Sequence, residues 1–163
     1  HITSRKVSFG ASHTRIEKIS SGENHIGVIS ESGKCFVWGA NDRGQCGDGT
    51  QKVRYKARQL LKGEQIKDIK CGANHTVVIT KQRKVWLFGC NEYHQCQQQP
   101  QQSSENKKSK RNANRNNNYL LTPTLLTVES NPDIDQQIKK VFAGANSTFI
   151  CVDTAMEILR TVI

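Results

Sequence analysis

Three residues near the middle of the chain, Cys90, His94 and Cys96, are of the types that bind metal ions and stand close together. Thiolate sulfur and imidazole nitrogen are preferred zinc ligands, but a structural zinc site needs four ligands, and zinc motifs usually pair them at closer spacing. No fourth ligand is apparent beside these three. The sequence therefore predicts no metal site, and nothing in it indicates another cofactor.

His25 and His75 are candidates for general acid–base catalysis, because imidazole titrates near neutral pH. They stand 50 residues apart (75 − 25 = 50), and both follow a G-x-N tripeptide. An active-site base is normally needed once, whereas a residue that recurs at a fixed interval usually serves a repeated structural unit. We therefore interpret both histidines as structural residues that form hydrogen bonds near the Gly-x-Asn turn.

The acidic residues show no common pairing that would shift a pKa and so indicate a catalytic carboxylate. The residues considered are Glu23, Glu31, Asp42, Asp48, Glu64 and Asp68. The sequence also lacks a glycine-rich phosphate loop, a nucleophile elbow and a zinc-protease helix. It therefore predicts a protein that is not an enzyme.

Residues 97–118, QQQPQQSSENKKSKRNANRNNN, are almost devoid of apolar side chains. Such a segment cannot bury enough surface to offset the entropy of ordering, so the sequence predicts a disordered insertion. Its basic cluster, Lys107, Lys108, Lys110 and Arg111, resembles a short nuclear-import signal and could contact the phosphates of nucleic acid or chromatin. The alternative is that the charge only keeps the insertion solvated, since the segment has no aromatic residue to stack on bases.

The elements that must position these residues follow from a repeat. Residues 19–46 and 69–96 align without a gap at an offset of 50, which is unlikely by chance. The paired identities include Ile19 with Ile69, Gly22 with Gly72, Asn24 with Asn74, His25 with His75, Gly39 with Gly89 and Cys46 with Cys96. A period near fifty indicates an array of supersecondary units, each of which buries its apolar face against its neighbours.

The pattern inside the repeat is typical of strands. The runs NHTVVIT and KVWLFG are short and rich in β-branched and aromatic residues. Between such runs lie polar pieces at 31–34 and 81–84 that suit tight hairpins. Gly33 can take a positive φ freely, whereas Arg83 meets a steric cost if the second hairpin has the same geometry. Each repeat therefore predicts a small antiparallel meander, which is most of a propeller blade.

The combination of G-x-N-H, an apolar strand, W-G or F-G and then N-x-x-G-Q-x-G resembles the repeat of the regulator of chromosome condensation family. The matching residues are Gly22, Asn24, His25, Trp38 and Gly39, then Gly72, Asn74, His75, Phe88 and Gly89, and finally Gly144 and Asn146. The second copy departs from the pattern, with His94 in the place of Gly44 and Gln97 in the place of Gly47. The resemblance implies a seven-bladed β-propeller.

We therefore predict an all-β partial propeller over 1–163, with about three antiparallel blades. Repeat one covers 16–65, repeat two covers 66–137 with the insertion, and 138–163 is a truncated repeat three. Residues 1–15 could hold the last strand of a preceding blade. In repeat three Ser147 replaces the histidine and Arg160 aligns with Trp38, so the W-G pair is missing. Seven blades of this period need roughly 350 residues, so we expect the missing blades from the rest of the gene product or from a partner.

The connection between the first two repeats carries a basic stripe. Lys52, Arg54, Lys56 and Arg58 alternate along it, and in an extended segment alternate side chains point to one side. The resemblance places an edge strand near 57–61. The stripe could contact an acidic partner, or it could be a solvated edge that resists strand pairing, which is the interpretation that we favour.

Composition supports a binding protein inside the cell. The 163-residue chain has a formal net charge of +10 and 35% hydrophobic residues, with no apolar run long enough to span a membrane and no visible secretory signal. The cysteine spacing follows the repeat, which favours free thiols in the cytoplasm or nucleus. We predict a non-catalytic scaffold for a protein partner. The resemblance implies guanine-nucleotide exchange on a small Ran-like GTPase as an alternative, and chromatin attachment through the insertion is a third possibility.

Overall fold

The computed structural model describes residues 7, 9, 14–93, 95–96, 118–126, 138–152 and 158–161. These residues form eleven β-strands in three antiparallel sheets that follow one another along the chain. Within the described ranges no helix is long and apolar enough to span a membrane. The prediction of an all-β partial propeller with about three antiparallel blades is confirmed, and the sheets are named blades one, two and three.

Blade one consists of β1 (Ile16–Ser21), β2 (His25–Ser30), β3 (Cys35–Gly39) and β4 (Arg54–Leu60), hydrogen-bonded in that order. The two middle strands are rich in β-branched and aromatic residues, and most of their side chains are buried. Such residues fill a sheet that is covered on both faces. In the outermost strand, β4, three of the seven residues are exposed, three are half-buried and Leu60 is buried.

Blade two repeats this arrangement. Its strands are β5 (Ile66–Cys71), β6 (His75–Thr80), β7 (Val85–Cys90) and β8 (Tyr119–Leu125), again in sequence order across the sheet. The predicted disordered insertion falls between β7 and β8, and residues 97–117 lie outside the described ranges.

The strand register is also repeated. His25 pairs with Gly39 across β2 and β3, and His75 pairs with Gly89 across β6 and β7. The offset of 50 residues in the sequence is therefore an offset between equivalent places in two sheets.

Blade three contains β9 (Ile138–Ala143), β10 (Thr148–Val152) and β11 (Ile158–Thr161), with β10 between the other two. For β11 we describe only the pairing of its backbone with β10. This sheet restarts the repeat where the G-x-N motif places it, because β10 begins two residues after Asn146.

The predicted alignment of Arg160 with Trp38 is wrong by one residue. In blade one Trp38 pairs with Ile26, and the equivalent of Ile26 in blade three is Thr148. Thr148 pairs with Thr161, while Arg160 pairs with the next residue of β10. The hairpin of blade three is one residue longer than that of blade one, so an alignment without a gap loses register there.

The hydrophobic core lies between the blades rather than within any one of them. The first cluster joins blades one and two: Ile29, Cys35, Val37, Cys46, Leu60, Ile66, Ile69, Val78 and Phe88. The second joins blades two and three: Val77, Ile79, Val85, Leu87, Cys96, Leu126, Ile138, Val141 and Ile150. Each sheet is therefore stabilised mainly by burying its faces against its neighbours, as expected of a repeat array.

The first strand of each blade, β1, β5 or β9, shows how burial of a side chain depends on the preceding blade. Ile69 in β5 is 1% exposed and Val141 in β9 is 0% exposed, whereas the repeat equivalent in β1, Ile19, is 71% exposed. The sequence position is the same in each repeat. The difference arises because β5 and β9 pack against the blade before them, while no described strand packs on that side of β1.

The antiparallel order places the described loops on two faces. The upper face carries the turns before β2, β6 and β10, together with residues 40–53 and both flanks of the insertion. The lower face carries the hairpins at 31–34 and 81–84 and the connection from β4 to β5. In the lower hairpins Gly33 has φ 75° and Arg83 has φ 69°, so the arginine does adopt the left-handed conformation.

Four residues of the N-terminal segment, 7, 9, 14 and 15, are described. The Phe9 ring packs edge-on against Phe36 and Trp38, with centroid distances of 5.3 and 5.9 Å. These two rings lie on the face of blade one that is turned away from blade two. The strand that could occupy 1–15 falls largely outside the described residues and stays a prediction.

Candidate interaction face

The G-x-N-H motif forms the same turn in each blade. The amide of Gly22 donates to the carbonyl of His25 at 2.9 Å, and Gly72 donates to His75 at the same distance. In blade three Gly144 donates to Ser147 at 2.8 Å. Blade three has Ser147 in place of the histidine, and its backbone forms the same turn.

Glycine is required in this turn because the next blade approaches closely. A Cβ on Gly22 would lie 2.3 Å from the carbonyl oxygen of Gly72 and 2.3 Å from Cε1 of His25. A Cβ on Gly72 would lie 2.5 Å from the carbonyl oxygen of Gly144. These contacts leave no space for a side chain.

The imidazole of His25 bonds to the next blade. Its Nε2 lies 2.9 Å from the hydroxyl oxygen of Thr76, and that hydroxyl donates to the carbonyl of Gln45 at 2.9 Å. A carbonyl only accepts, so the threonine proton is committed and Nε2 must donate to the hydroxyl. His25 is therefore the neutral Nε2–H tautomer, and among the described residues Nδ1 has no hydrogen-bond partner.

His75 makes the equivalent contact one blade further on, where its Nε2 lies 3.1 Å from the hydroxyl oxygen of Thr148. Burial lowers the pKa of each imidazole, His25 and His75, to about 4, and the neighbouring His75 adds to the shift at His25. Both side chains lie near the turn, but their hydrogen bonds reach the following blade and do not close the turn. That they serve only the structure stays a prediction. Neither buried imidazole is placed to act on a substrate.

Backbone bonds also connect successive turns. The amide of Glu23 donates to the carbonyl of Ala73 at 3.2 Å, and Ala73 donates to Ala145 at 3.0 Å. The carbonyls of Asn24 and Asn74 accept from the residue that follows Gly39 and Gly89 in each blade. The repeated motif therefore stabilises the junction between neighbouring blades, which we call the seam.

The loop after β3 is held by its own polar side chains. Asn41 Oδ1 accepts from the Cys46 amide at 2.8 Å, and the equivalent Asn91 accepts from Cys96 at 2.8 Å. Gln45 accepts from the Arg43 amide at 2.9 Å. The motif N-x-x-x-Q-C thus encodes one loop conformation in both blades.

Asp48 corrects the prediction that no carboxylate is paired in a way that shifts a pKa. Its side chain is fully buried and forms ion pairs with Arg54 and, at 3.7 Å, with Arg58. Burial alone would raise the pKa of this carboxyl, but hydrogen bonds from Thr50 and Arg54 outweigh it and hold the pKa below its usual range. Two members of the basic stripe are therefore committed to Asp48, and the pair serves the loop rather than catalysis.

Side chains of two blades meet on the upper face at Arg43, Glu92 and Tyr119. We call these three, with the neighbouring exposed Tyr93, the seam cluster. Arg43 Nη1 lies 2.9 Å from Glu92 Oε1, and the Tyr119 hydroxyl donates to the same oxygen at 2.9 Å. The Arg43 guanidinium also lies over the Tyr119 ring, 5.5 Å from its centroid. Tyr93 beside them is 54% exposed.

The cluster continues toward the inner end of the blades through amide side chains. Gln45 Nε2 lies 3.1 Å from Asp42 Oδ1 and 3.3 Å from Asn74 Oδ1. Asn74 Nδ2 in turn donates to Glu23 Oε2 at 3.2 Å. The upper face at this seam is a connected layer of polar side chains that neighbours hold in place.

Sequence reasoning missed the seam cluster because its members are not repeat identities. Arg43 stands opposite Tyr93 in the alignment, and Asp42 stands opposite Glu92. The available signal was this difference itself, since positions that vary within a shared loop are free to serve binding.

Most of the cysteines lie in buried surroundings. Among the described residues no group of three or more His, Cys, Asp or Glu could hold a metal ion, and His94 lies outside them. All six cysteines are free and five are buried. Burial raises the pKa of the Cys35 and Cys46 thiols to about 12 and that of Cys71 to about 11, and it also raises the pKa of Cys96. Protonated buried thiols are poor nucleophiles.

The basic residues of the insertion, Lys107, Lys108, Lys110 and Arg111, lie outside the described residues. Their predicted role in nuclear import or phosphate contact stays a prediction.

Three side-by-side antiparallel sheets with a seam motif at each junction define a partial β-propeller built from one repeated blade. Sequence models of the regulator of chromosome condensation (RCC1) repeat match residues 32–79 in one form and residues 16–45 and 66–95 in a second form. Residues 16–95 therefore consist of repeats of the regulator of chromosome condensation family.

Among curated proteins the chain is 34% identical over 68 residues to the E3 ubiquitin-protein ligase HERC2 of Homo sapiens and to that of Mus musculus. Each alignment covers 40% of this chain and 1% of the relative. The chain therefore spans only a small part of the length of these relatives.

Solved structures show the same fold. Human WBSCR16 superposes with a TM-score of 0.65 at 13% identity, over 85% of this chain and 31% of that one. Yeast RCC1 (Prp20) bound to Kap60 gives 0.64 at 22% identity, over 85% of this chain and 30% of that one. Prp20p from Saccharomyces cerevisiae, studied for its binding to Gsp1p and histones, gives 0.64 at 21% identity, over 85% and 31%.

Proposed function

We propose that the chain is a non-catalytic protein-interaction scaffold and that its upper face makes the contact. One observation carries the proposal. Shared residues of the motif and of the loop after β3, namely His25, Asn41, Gln45 and Cys46, are buried. Residues that differ between the repeats, Arg43 and Tyr93 among them, are accessible on the upper face. A rigid frame that presents variable loops is the usual design of a binding platform.

The chemistry of the seam cluster fits a protein partner. Tyrosine and arginine are enriched at the energetic centres of protein interfaces because they offer large contact areas with polar ends. The Arg43 side chain is 34% exposed and Glu92 is 41% exposed, so both can exchange their mutual contact for contacts with a partner.

The proposal is tested by comparing the two faces. Proteins retained from a cell extract by the immobilised chain are quantified for an upper-face double variant, Arg43→Ala with Tyr93→Ala. A matched lower-face variant, Glu31→Ala with Lys34→Ala, is the control. We expect the upper-face variant to lose specific partners that the control retains. Equal retention by both variants would contradict an upper-face contact.

Guanine-nucleotide exchange on a small Ran-like GTPase is the alternative. It is supported by the fold shared with Prp20p, whose structure was studied with binding to Gsp1p, but this chain covers 31% of that protein. Release of a fluorescent GDP from a Ran-like GTPase separates the two functions. A scaffold leaves the release rate unchanged, whereas an exchange factor raises it.

Attachment to chromatin or nucleic acid through Lys107, Lys108, Lys110 and Arg111 is a third candidate, favoured by the net positive charge of the insertion. Deletion of 97–118 should then abolish binding to DNA or histones while the thermal unfolding temperature stays nearly unchanged. An intracellular location, in the cytoplasm or nucleus, is proposed with all three functions because the six cysteines are free.

A further inference from the structure

The outer strands of blades one and two occupy the same place but present different edges. In blade one Val37 pairs with Arg58, and in blade two the equivalent Leu87 pairs with Thr124. The position before Arg58 is Ala57 and the position before Thr124 is Pro123. Ala57 in β4 and Pro123 in β8 are therefore register equivalents.

This difference determines which edge can accept another strand. Proline has no N–H and is found in sheets where that position faces away from the neighbouring strand. Pro123 thus removes a donor from the outer edge of β8, while Ala57 leaves the corresponding donor on β4. Among the described residues no strand pairs with the outer edge of β4.

The side chains around Ala57 are accessible and basic. Tyr55 is 89% exposed, more than any other large hydrophobic residue in the described part of the chain, and Val53 is 48% exposed. Residues 49–63 contain five Lys or Arg and no Asp or Glu. Asp48 pairs with Arg54 and Arg58, which leaves Lys52 and Lys56 exposed beside Tyr55.

We propose that the outer edge of β4 binds an extended acidic segment of a partner protein, which adds to blade one as a fifth strand. The backbone of the segment would pair with the open edge at Ala57, and its alternate carboxylates would face the cations of β4. Tyr55 would pack against an apolar residue between them. The edge of β4 contains no residue of the seam cluster, so the inference goes beyond the proposed function and can fail independently of it.

The opposing possibility is that the same lysines only keep the edge solvated and discourage pairing. The two possibilities differ in whether the backbone of β4 forms hydrogen bonds with the peptide. Strand addition needs the donor at Ala57, whereas attraction between surface charges does not. A change that removes the backbone donor and keeps every charge therefore decides between them.

The experiment uses the full chain and a fluorescein-labelled peptide of alternating valine and glutamate, with binding followed by fluorescence anisotropy. The key variant is Ala57→Pro, which copies the natural residue of β8 and so should be accommodated. We expect it to weaken binding at least tenfold, because a strand pairing is interrupted at its centre. The matched control, Pro123→Ala, should leave the affinity for β4 unchanged.

A second measurement keeps the wild-type chain and changes the probe. The same peptide with alternate backbone amides N-methylated on one edge keeps its charge but cannot pair as a strand. We expect its binding to fall at least tenfold as well. Equal binding of the N-methylated peptide, equal binding by Ala57→Pro, or no binding of the parent peptide would each overturn the proposal.

Discussion

Replacing Thr76 by valine tests the contact that joins blades one and two. Valine has nearly the shape of threonine, and blade one carries Ile26 at the equivalent position, so the strand tolerates a β-branched apolar residue there. The variant removes only the hydroxyl that lies between His25 and Gln45. It leaves a buried imidazole N–H and a carbonyl without their partner.

The expected cost follows from the two groups. A buried donor or acceptor that loses its partner costs about 1–3 kcal/mol, so Thr76→Val should lower the free energy of unfolding by about 2–4 kcal/mol. The control is Thr124→Val, whose hydroxyl donates to the exposed carbonyl of Thr122. Removing this exposed bond should change the free energy of unfolding by no more than about 0.5 kcal/mol.

Urea unfolding followed by fluorescence measures both variants. A double variant, His25→Leu with Thr76→Val, should cost less than the sum of its single changes, because the orphaned imidazole donor is no longer present. If Thr76→Val matched Thr124→Val in stability, or if the two changes were additive, the reasoning about the seam would be refuted.

Three further outcomes are expected. Arg83→Gly should raise the free energy of unfolding by about 0.5–1 kcal/mol, because it removes the steric strain of an arginine with a positive φ. Gly33→Ala at the equivalent turn should lower the free energy of unfolding. Urea unfolding of both variants measures these changes. Gly72→Ala should cost about 2 kcal/mol or more, since its Cβ would lie 2.1 Å from Cε1 of His75 and 2.5 Å from the carbonyl oxygen of Gly144 in blade three. A thermal unfolding temperature equal to that of the wild type would contradict this close packing around the turn. The pKa of His25 and His75 is about 4 in the folded state and 6.5 in the unfolded state. Between these pH values the unfolded state binds more protons, so the free energy of unfolding should fall from pH 6.5 to pH 4 by up to about 3 kcal/mol for each histidine. Urea midpoints that do not change over this range would argue against buried neutral imidazoles.

The repeat predicted most of the fold because each blade depends on local sequence. The offset of 50 residues placed the turns and strands of two blades correctly, since apolar runs and turn residues act over a few positions. It failed at Arg160, where the hairpin of blade three gains one residue and no sequence identity marks the change.

The side-chain site could be predicted only in part. Their recurrence predicts a structural role for His25 and His75, but it does not predict their threonine partners, which lie 51 and 73 residues away in the following blade. The burial of Asp48 depends on β4 returning to the loop, which its sequence neighbours do not reveal. Contacts that cross a seam follow from how blades stack, and a single repeat carries no information about that.

The central claim is that the repeated histidines are neutral residues that hydrogen-bond one blade to the next and are not reactive groups. Nitrogen-15 nuclear magnetic resonance of the imidazole rings over a pH titration measures this directly. The account predicts that His25 is the Nε2–H tautomer and that both His25 and His75 stay neutral down to about pH 5. An Nδ1–H tautomer at His25, or titration of either ring near its ordinary pKa, would contradict it.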